Sequence, residues 1–297
     1  MIYDLVLSGA SDDASVEKLA AAAARRGHAT RVLEVGADPP AVTLDPRSGL
    51  LIWNGERVRA RAAFLRPAYT SPLDQAGETR VAAWFATLWA WLSANLETRS
   101  FNRSMLWAAG NKPLALRAAL GSGLAVPRTW VTNDLERVRR ERENWAVKPV
   151  EGGTYCEDWR EVASRHSEEL ATQPGIFQER LSYPEFRVFL VRDSVIAFKV
   201  ESRCLDYRRD PAAEVSPVPY ADVPAEIRNG LKRLARSLGL DFAAADFKWS
   251  SEQNRSVFLE INTAPMFAAF DDRAGGRLAE CILDNLVGEQ ASRAAAQ

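Results

Sequence analysis

Cysteine and histidine are both scarce in this 297-residue chain. The three cysteines, Cys156, Cys204 and Cys281, are odd in number and far apart, which fits neither a disulfide framework nor a CxxC metal site and points to a reducing, cytoplasmic compartment. His28 and His166 are the only histidines and read as exposed bystanders, so no imidazole base is expected. An excess of one charge is lacking too. Against 39 Asp and Glu stand 38 Lys and Arg, a formal net charge of −1, and no basic block stands apart, so nucleic acid is not an expected partner. No run approaches the ~20 consecutive apolar residues of a membrane span, and Asp4, Asp12 and Asp13 sit where a secretory signal would carry basic charge. The expectation is a soluble protein with no membrane partner. A P-loop is excluded, because Gly-x4-Gly-Lys-Ser/Thr occurs nowhere, and there is no internal repeat.

What is present is ordinary for a folded enzyme: 47% hydrophobic and 26% charged residues, on a chain long enough for two or three compact units. The apolar run Ile2 to Leu7, an Ala-rich helical stretch up to Arg26-Gly27, and a second run Arg31 to Val35 predict a β-α-β start to a small open sheet. Asn54-Gly55 predicts a hairpin, since both residues tolerate positive φ. Val81, Trp84, Phe85, Leu88, Trp89 and Leu92 have the spacing of an amphipathic helix over Glu78 to Leu96, serving either the core or self-association. Further on, helices are expected over Ser104 to Leu120, with Pro113 marking a break or start, and over Leu135 to about Arg142. Strands are expected at Trp145 to Lys148, in a hairpin turning at Arg192-Asp193, and in the pair Phe242 to Phe247 and Val257 to Ile261.

Three groups of residues carry candidate chemistry. Asp246, Glu260 and Asn262 are oxygen donors on neighbouring strands, and the i, i+2 spacing of Glu260 and Asn262 puts them on one face, as a Mg2+ site or as ordinary polar positions on a solvated face. Lys148 ends a strand and runs into Pro149-Val150-Glu151-Gly152-Gly153-Thr154, a loop whose bare N–H groups suit phosphate oxygens or simply a turn. Gln178-Glu179-Arg180-Leu181 is followed by Glu185-Phe186-Arg187, where alternation puts Glu185 and Arg187 together, as a ribose and phosphate contact or as a surface ion-pair ladder.

Taken in order along the chain, these elements resemble the ATP-grasp superfamily, RimK-like branch, from Phe101 to Leu286. The resemblance implies an α/β (α+β) ATP-grasp fold: an N-terminal small α/β pre-ATP-grasp domain over 1–103, a central lid-like subdomain over 104–178, a C-terminal antiparallel-sheet subdomain over 179–290, and a tail over 291–297. By motif, Lys112 and Lys148 match the lysines that hold nucleotide phosphates, with Gly152 and Gly153 beside them. Glu179 matches the hinge residue, Arg180 and Leu181 the backbone that meets adenine, Glu185 the ribose contact, and Arg187 a phosphate or acyl-phosphate contact. Asp246, Glu260 and Asn262 match the Mg2+ ligands. Within the superfamily, the stretch from Asn111 to Val138 looks like the ligases that cyclise ribosomal peptides, the graspetide or microviridin type, and Glu201 to Asp210 resembles their substrate-side segment, which places Arg203, Asp206 and Arg208 near the carboxylate. One departure stands out. After Glu-Ile-Asn the family's Asn-Pro-x-Gly-Gln is replaced by Thr263-Ala264-Pro265-Met266-Phe267.

The resemblance implies an ATP- and Mg2+-dependent ligase that activates a carboxylate as an acyl phosphate for attack by an amine or hydroxyl, on a ribosomally made peptide or on a free amino acid or other metabolite. The Glu151 to Asp158 loop would act as a lid, and Asp206 or the substrate amine itself would handle the proton. An ATP-binding sensor or scaffold, and a kinase on the same fold, are the rival readings. Self-association is the one further partner expected.

Overall fold

The computed structural model describes residues 1–35, 40–67, 75–140, 144–150 and 155–288. The first stretch holds β1 (Tyr3–Ala10), α1 (Ala14–Arg25), β2 (Thr30–Val35), β3 (Val42–Asp45), β4 (Leu50–Trp53), β5 (Glu56–Val58), β6 (Ala60–Leu65), α2 (Gln75–Ala94) and β7 (Arg99–Ser100). The middle holds α3 (Lys112–Gly121), β8 (Thr129–Thr132), α4 (Leu135–Arg140), β9 (Trp145–Pro149), β10 (Glu157–Asp158), α5 (Trp159–Thr172), β11 (Gly175–Glu179), β12 (Ser182–Val191), β13 (Ser194–Glu201), β14 (Glu214–Val218), α6 (Ala225–Ser237), β15 (Phe242–Ser250) and β16 (Arg255–Asn262), followed by α7 (Ala268–Arg273) and α8 (Arg277–Leu286). The chain forms two compact units, Met1–Arg103 with Ala264–Gln297, and Ser104–Thr263. Residues 264–288, which the sequence reading grouped with 179–263, thus fold with the N-terminal unit. Their driving force is apolar: Leu278, Ala279, Ile282, Leu283 and Leu286 of α8 are all buried.

The first unit is built on the parallel sheet β2-β1-β6-β7, as its β-α-β opening predicts. Asp13 caps α1 by accepting the Ser15 and Val16 N–H groups, and it also pairs with the buried Arg66, whose Nε donates to the Pro265 carbonyl. The Asn54-Gly55 turn, with φ of 50° and 79°, joins β4 to β5 in a second sheet, β3-β4-β5. That sheet shares a core with Phe85, Leu88, Trp91 and Leu92 of α2. Burial in this unit therefore accounts for much of the tryptophan-rich helix. His28 is buried as well, at 8% exposure, because it sits at the turn from α1 into the sheet, where an exposed bystander was expected.

The second unit carries two sheets. The smaller, β10-β9-β11-β8, packs Val147 and Phe177 with Trp145, Trp159, Leu135, Val138 and Val162 on one face, which turns the neighbouring Lys148 to the other. Glu157 and Asp158, expected in a lid loop, belong to this sheet, and Asp158 caps α5. The larger sheet, β14-β13-β12-β15-β16, is antiparallel throughout, and Arg192 takes a φ of 51° at the β12–β13 turn. Its apolar face packs on α6 through Ile227, Leu231 and Leu234, with Leu238 at the helix C-cap, and on α3 through Ala115, Leu116 and Ala119. Pro113 is the second residue of α3, where its missing N–H costs nothing, so the helix starts there and a 3-10 turn, Trp107–Gly110, precedes it.

Gly239 ends α6 with a φ of +67°, and a Cβ added there would lie 2.0 Å from the Ser104 carbonyl oxygen. Gly239→Ala should therefore lose roughly 3 kcal/mol of unfolding free energy, combining a left-handed backbone with a backbone clash. Urea denaturation measures it; a loss under about 0.5 kcal/mol would show that the α6 terminus relaxes freely.

Candidate active site

The polar face of the five-stranded sheet is set by alternation against its core. Phe186, Val188 and Leu190 of β12 pair with Phe247, Ala245 and Ala243 of β15 on the helix side, which leaves Glu185 opposite Lys248 and Arg187 opposite Asp246 on the other. One strand further, Asp246 faces Glu260 and Ala244 faces Asn262. Strict alternation along β16 would put Phe258 on the same face as Glu260. A bulge prevents this: Phe247 pairs with Phe258 while Asp246 pairs with Glu260, so Leu259 is the extra residue, and Phe258 joins the core with Ile261.

The result is a tight set of charges. Arg187 Nη1 donates to both oxygens of Asp246 at 3.0 Å, and Asn262 Nδ2 lies 3.4 Å from Asp246 Oδ2. Lys148 Nζ is 3.6 Å from Glu260 Oε2. Burial pushes Asp246 up to about 6, Arg187 opposes that rise, and the Glu260 charge adds to it. Burial also acts to raise Glu260, but Lys148, Lys112, Arg208 and Arg187 together outweigh it and hold this carboxyl below its ordinary range. Glu185 is pushed up to about 7, first by burial and then by Asp246, with Lys248 pulling the other way. Glu185 and Arg187 are both buried, so they are not rungs of a surface ladder.

Lys112 opens α3, and its Nζ donates to the Pro149 carbonyl at 3.3 Å; burial lowers its pKa, Glu260 resists and Lys148 adds to the lowering. The substrate-side segment folds into a 3-10 turn, Tyr207–Arg209, capped by Asp206. Arg208 binds Asp206 through Nε at 2.9 Å and Nη2 at 2.5 Å, and the Cys156 N–H donates to the same carboxylate at 3.1 Å. Burial would raise Asp206, but Arg208 and the Cys156 N–H hold it low, and the Asp206 hydrogen bond is the main cause that raises Arg208.

Not every expected residue joins this set. Arg203 is exposed; its N–H donates to Asp210, which closes the loop upon itself, and no contact of its guanidinium with Asp246 or Glu260 is seen among the described residues. Glu179 is half-buried with Oε1 accepting from Ser250 Oγ at 2.7 Å, and burial raises its pKa. The Arg180 N–H is already given to the Asn144 carbonyl, its exposed guanidinium pairs with Asp158, and Leu181 beside it is half-buried. Gly152 and Gly153 lie outside the described residues. Sequence reasoning missed Lys248, Tyr183, Tyr207 and Cys156. For Lys248 the signal was there, two residues from Asp246 on the same strand face.

The donor set fits a hard divalent cation. Two carboxylates face each other across paired strands with an amide alongside, and burial with mutual repulsion keeps one of them from ionising easily, a cost that a bound cation offsets. Among the described residues no group of three His, Cys, Asp or Glu stands in a ligating arrangement, so Asn262 is essential to this reading.

No family model and no curated protein matches the chain. Solved structures do. The ATP-grasp ligase PsnB, complexed with minimal precursor, Mg and ADP, is 26% identical, with a TM-score of 0.74 over 95% of this chain and 97% of its own. The macrocyclase MdnC from Microcystis aeruginosa MRC, bound with precursor peptide MdnA, is 19% identical, with a TM-score of 0.75 over 97% and 100%. The fold is that of the ATP-grasp ligases. The VanG D-Ala:D-Ser ligase from Enterococcus faecalis is similar in fold at 16% identity, with a TM-score of 0.63 over 97% of this chain and 99% of its own. On this ATP-grasp scaffold the acidic pair, the lysines and the Asp206–Arg208 turn all belong to the second unit.

Proposed function

We propose that this chain is an ATP-dependent ligase that joins a carboxylate to an amine or hydroxyl of a peptide by way of an acyl phosphate, and that the peptide is ribosomally made. The observation that carries the reading is the mutual placement of Lys148 and Lys112 against Glu260, with Asp246 and Asn262 beside it, in a chain similar along nearly its whole length to a precursor-bound ligase. Asp246, Glu260 and Asn262 hold Mg2+, whose charge offsets that of the transferring phosphates. Lys112 and Lys148 bind the phosphates of ATP, Glu185 orients the ribose, and the Glu179 to Leu181 segment borders the base. Arg187 and the Arg208 guanidinium, steadied by Asp206, orient the incoming carboxylate for in-line attack. RimK-like placement, a cytoplasmic setting and self-association belong to the same proposal.

The test is ATP consumption with Mg2+, alone, with any short peptide encoded beside this gene, and with pooled amino acids, followed by mass spectrometry. Loss of one water per bond from the peptide, matched by ADP, supports the reading; amino-acid products would shift it to a metabolite ligase, and tight ATP binding with no turnover to a sensor. Arg208→Ala should raise the KM of the carboxylate substrate about tenfold or more, because a charged hydrogen-bond donor is lost, with a much smaller change for ATP. Equal effects on both substrates would remove Arg208 from the carboxylate subsite.

A further inference from the structure

Lys248 is a buried cation for which the proposed chemistry has no use, and its surroundings specify a different task. Its side chain is 5% exposed, on the same sheet face as Asp246. The ammonium lies 3.4 Å from Glu185 Oε2, 3.0 Å from the Leu205 carbonyl oxygen, and 3.7 Å from the centroid of the Tyr183 ring. An ammonium has three N–H donors, and these three partners match them one for one. The Lys248 ammonium is therefore engaged on three sides by groups of the protein itself.

Two of its partners belong to the rigid sheet, since Tyr183 and Glu185 lie in β12. The third is in the loop from Ser202 to Asp210. Within that loop Asp210 accepts from Ser202 Oγ at 2.6 Å, from the Arg203 N–H at 3.0 Å and from the Ala212 N–H at 2.9 Å, and Asp206 caps its 3-10 turn; outward, Asp206 accepts from the Cys156 N–H, Arg208 and Arg209 lie against the Tyr155 ring, and Arg209 approaches Glu157 of β10. These bonds shape the loop and tie it to residues 155–157, on the side of the small sheet. The Lys248 bond to Leu205 ties it to the five-stranded sheet, at the residue immediately before Asp206.

We infer that Lys248 is the positioning residue of the carboxylate subsite, an ammonium strut that sets the height of the Asp206–Arg208 turn above the sheet. The inference rests on the reading of Asp206 and Arg208 as substrate-side residues, but the strut itself is a statement about the protein alone. Arginine at this position reaches the same carbonyl and carboxylate, whereas methionine fills the space and donates nothing. A strut acts on where the substrate is held, so its loss falls on the carboxylate substrate and spares ATP.

The experiment compares full-length wild type with Lys248→Met, Lys248→Arg and the double variant Glu185→Gln/Lys248→Met, which removes both buried charges together and so protects against misfolding of the single variant. Hydrogen exchange is followed at the amides of Arg203 to Asp210 and, as a control, at those of β12 and β15. In both methionine variants the loop amides should exchange on the order of tenfold faster with the strand amides unchanged; in Lys248→Met the KM for carboxylate substrate should rise by a similar factor with less than threefold change for ATP, and Lys248→Arg should recover most of both, the double variant being read by exchange alone because Glu185 is placed at the ribose. Unchanged loop exchange in folded methionine variants overturns the inference, and so do equal KM increases for the two substrates in Lys248→Met. If wild type turns over no ATP with any peptide or amino acid, the functional reading fails, and the exchange comparison still decides the strut.

Discussion

Glu260→Gln is expected to cut ATP-dependent ligation by about 10³-fold, the scale set by losing a preorganised charge at a phosphoryl-transfer centre. The substitution keeps shape and hydrogen-bonding capacity but removes the negative charge that Lys148, Lys112, Arg208 and Arg187 all face. Mg2+ then has one carboxylate, Asp246, and that one is the harder of the two to ionise. The effect on the fold is smaller and has a definite sign. Because the folded protein holds Glu260 below its ordinary pKa, the ionised side chain adds stability above the ordinary carboxylate range, and this contribution is lost as pH falls through the depressed value. The variant should thus melt slightly below wild type at pH 7, and the gap should close below about pH 4. Turnover and melting curves at both pH values check this. A variant that retains a tenth of the activity would place the metal elsewhere.

Much of this site was legible in the sequence because strand alternation is a rigid rule. Glu185 with Arg187, and Glu260 with Asn262, share faces as their spacing requires, and the turns at Asn54-Gly55 and Arg192-Asp193 stand where turn chemistry puts them. What escaped was non-local. Nothing in Phe258 or Leu259 announces a bulge; it appears only when Phe258 must join the Phe247 core while Glu260 faces Asp246. The burial of Arg187 follows from its pairing with Asp246, fifty-nine positions away, which no local pattern encodes. Arg203 stands apart for the opposite reason: the resemblance of the segment Glu201 to Asp210 set it beside Asp206 and Arg208, whereas the residue is exposed and its N–H closes a short loop on Asp210. The last case is the C-terminal segment. The resemblance grouped residues up to 290 with the metal-bearing subdomain, yet Phe267 and α8 supply apolar surface to the first unit, where the Phe267 N–H donates to Ser15 Oγ.

Lys148→Met should reduce kcat/KM for ATP by roughly 10²- to 10³-fold, mostly through KM, and should do more damage than Lys112→Met. The two lysines are not equivalent. Lys112 is itself held down, first by burial and further by the charge of Lys148, and its Nζ already donates to the Pro149 carbonyl. Lys148 projects from a strand toward Glu260, with a side chain 11% exposed, and methionine fills its volume without its charge. Removing Lys148 leaves Lys112 with Glu260 as a partner and without a like-charged neighbour, so Lys112 becomes the better cation and recovers part of the loss. Removing Lys112 gives Lys148 no comparable relief, because Lys148 already faces Glu260 directly. The double variant should therefore lose more than the product of the singles predicts, since the compensation by Lys112 is then gone, and a cycle of four ATP titrations by calorimetry measures that coupling. Strict additivity of the two losses would mean that the lysines act at separate places, and an unchanged ATP affinity in Lys148→Met would move the nucleotide away from β9.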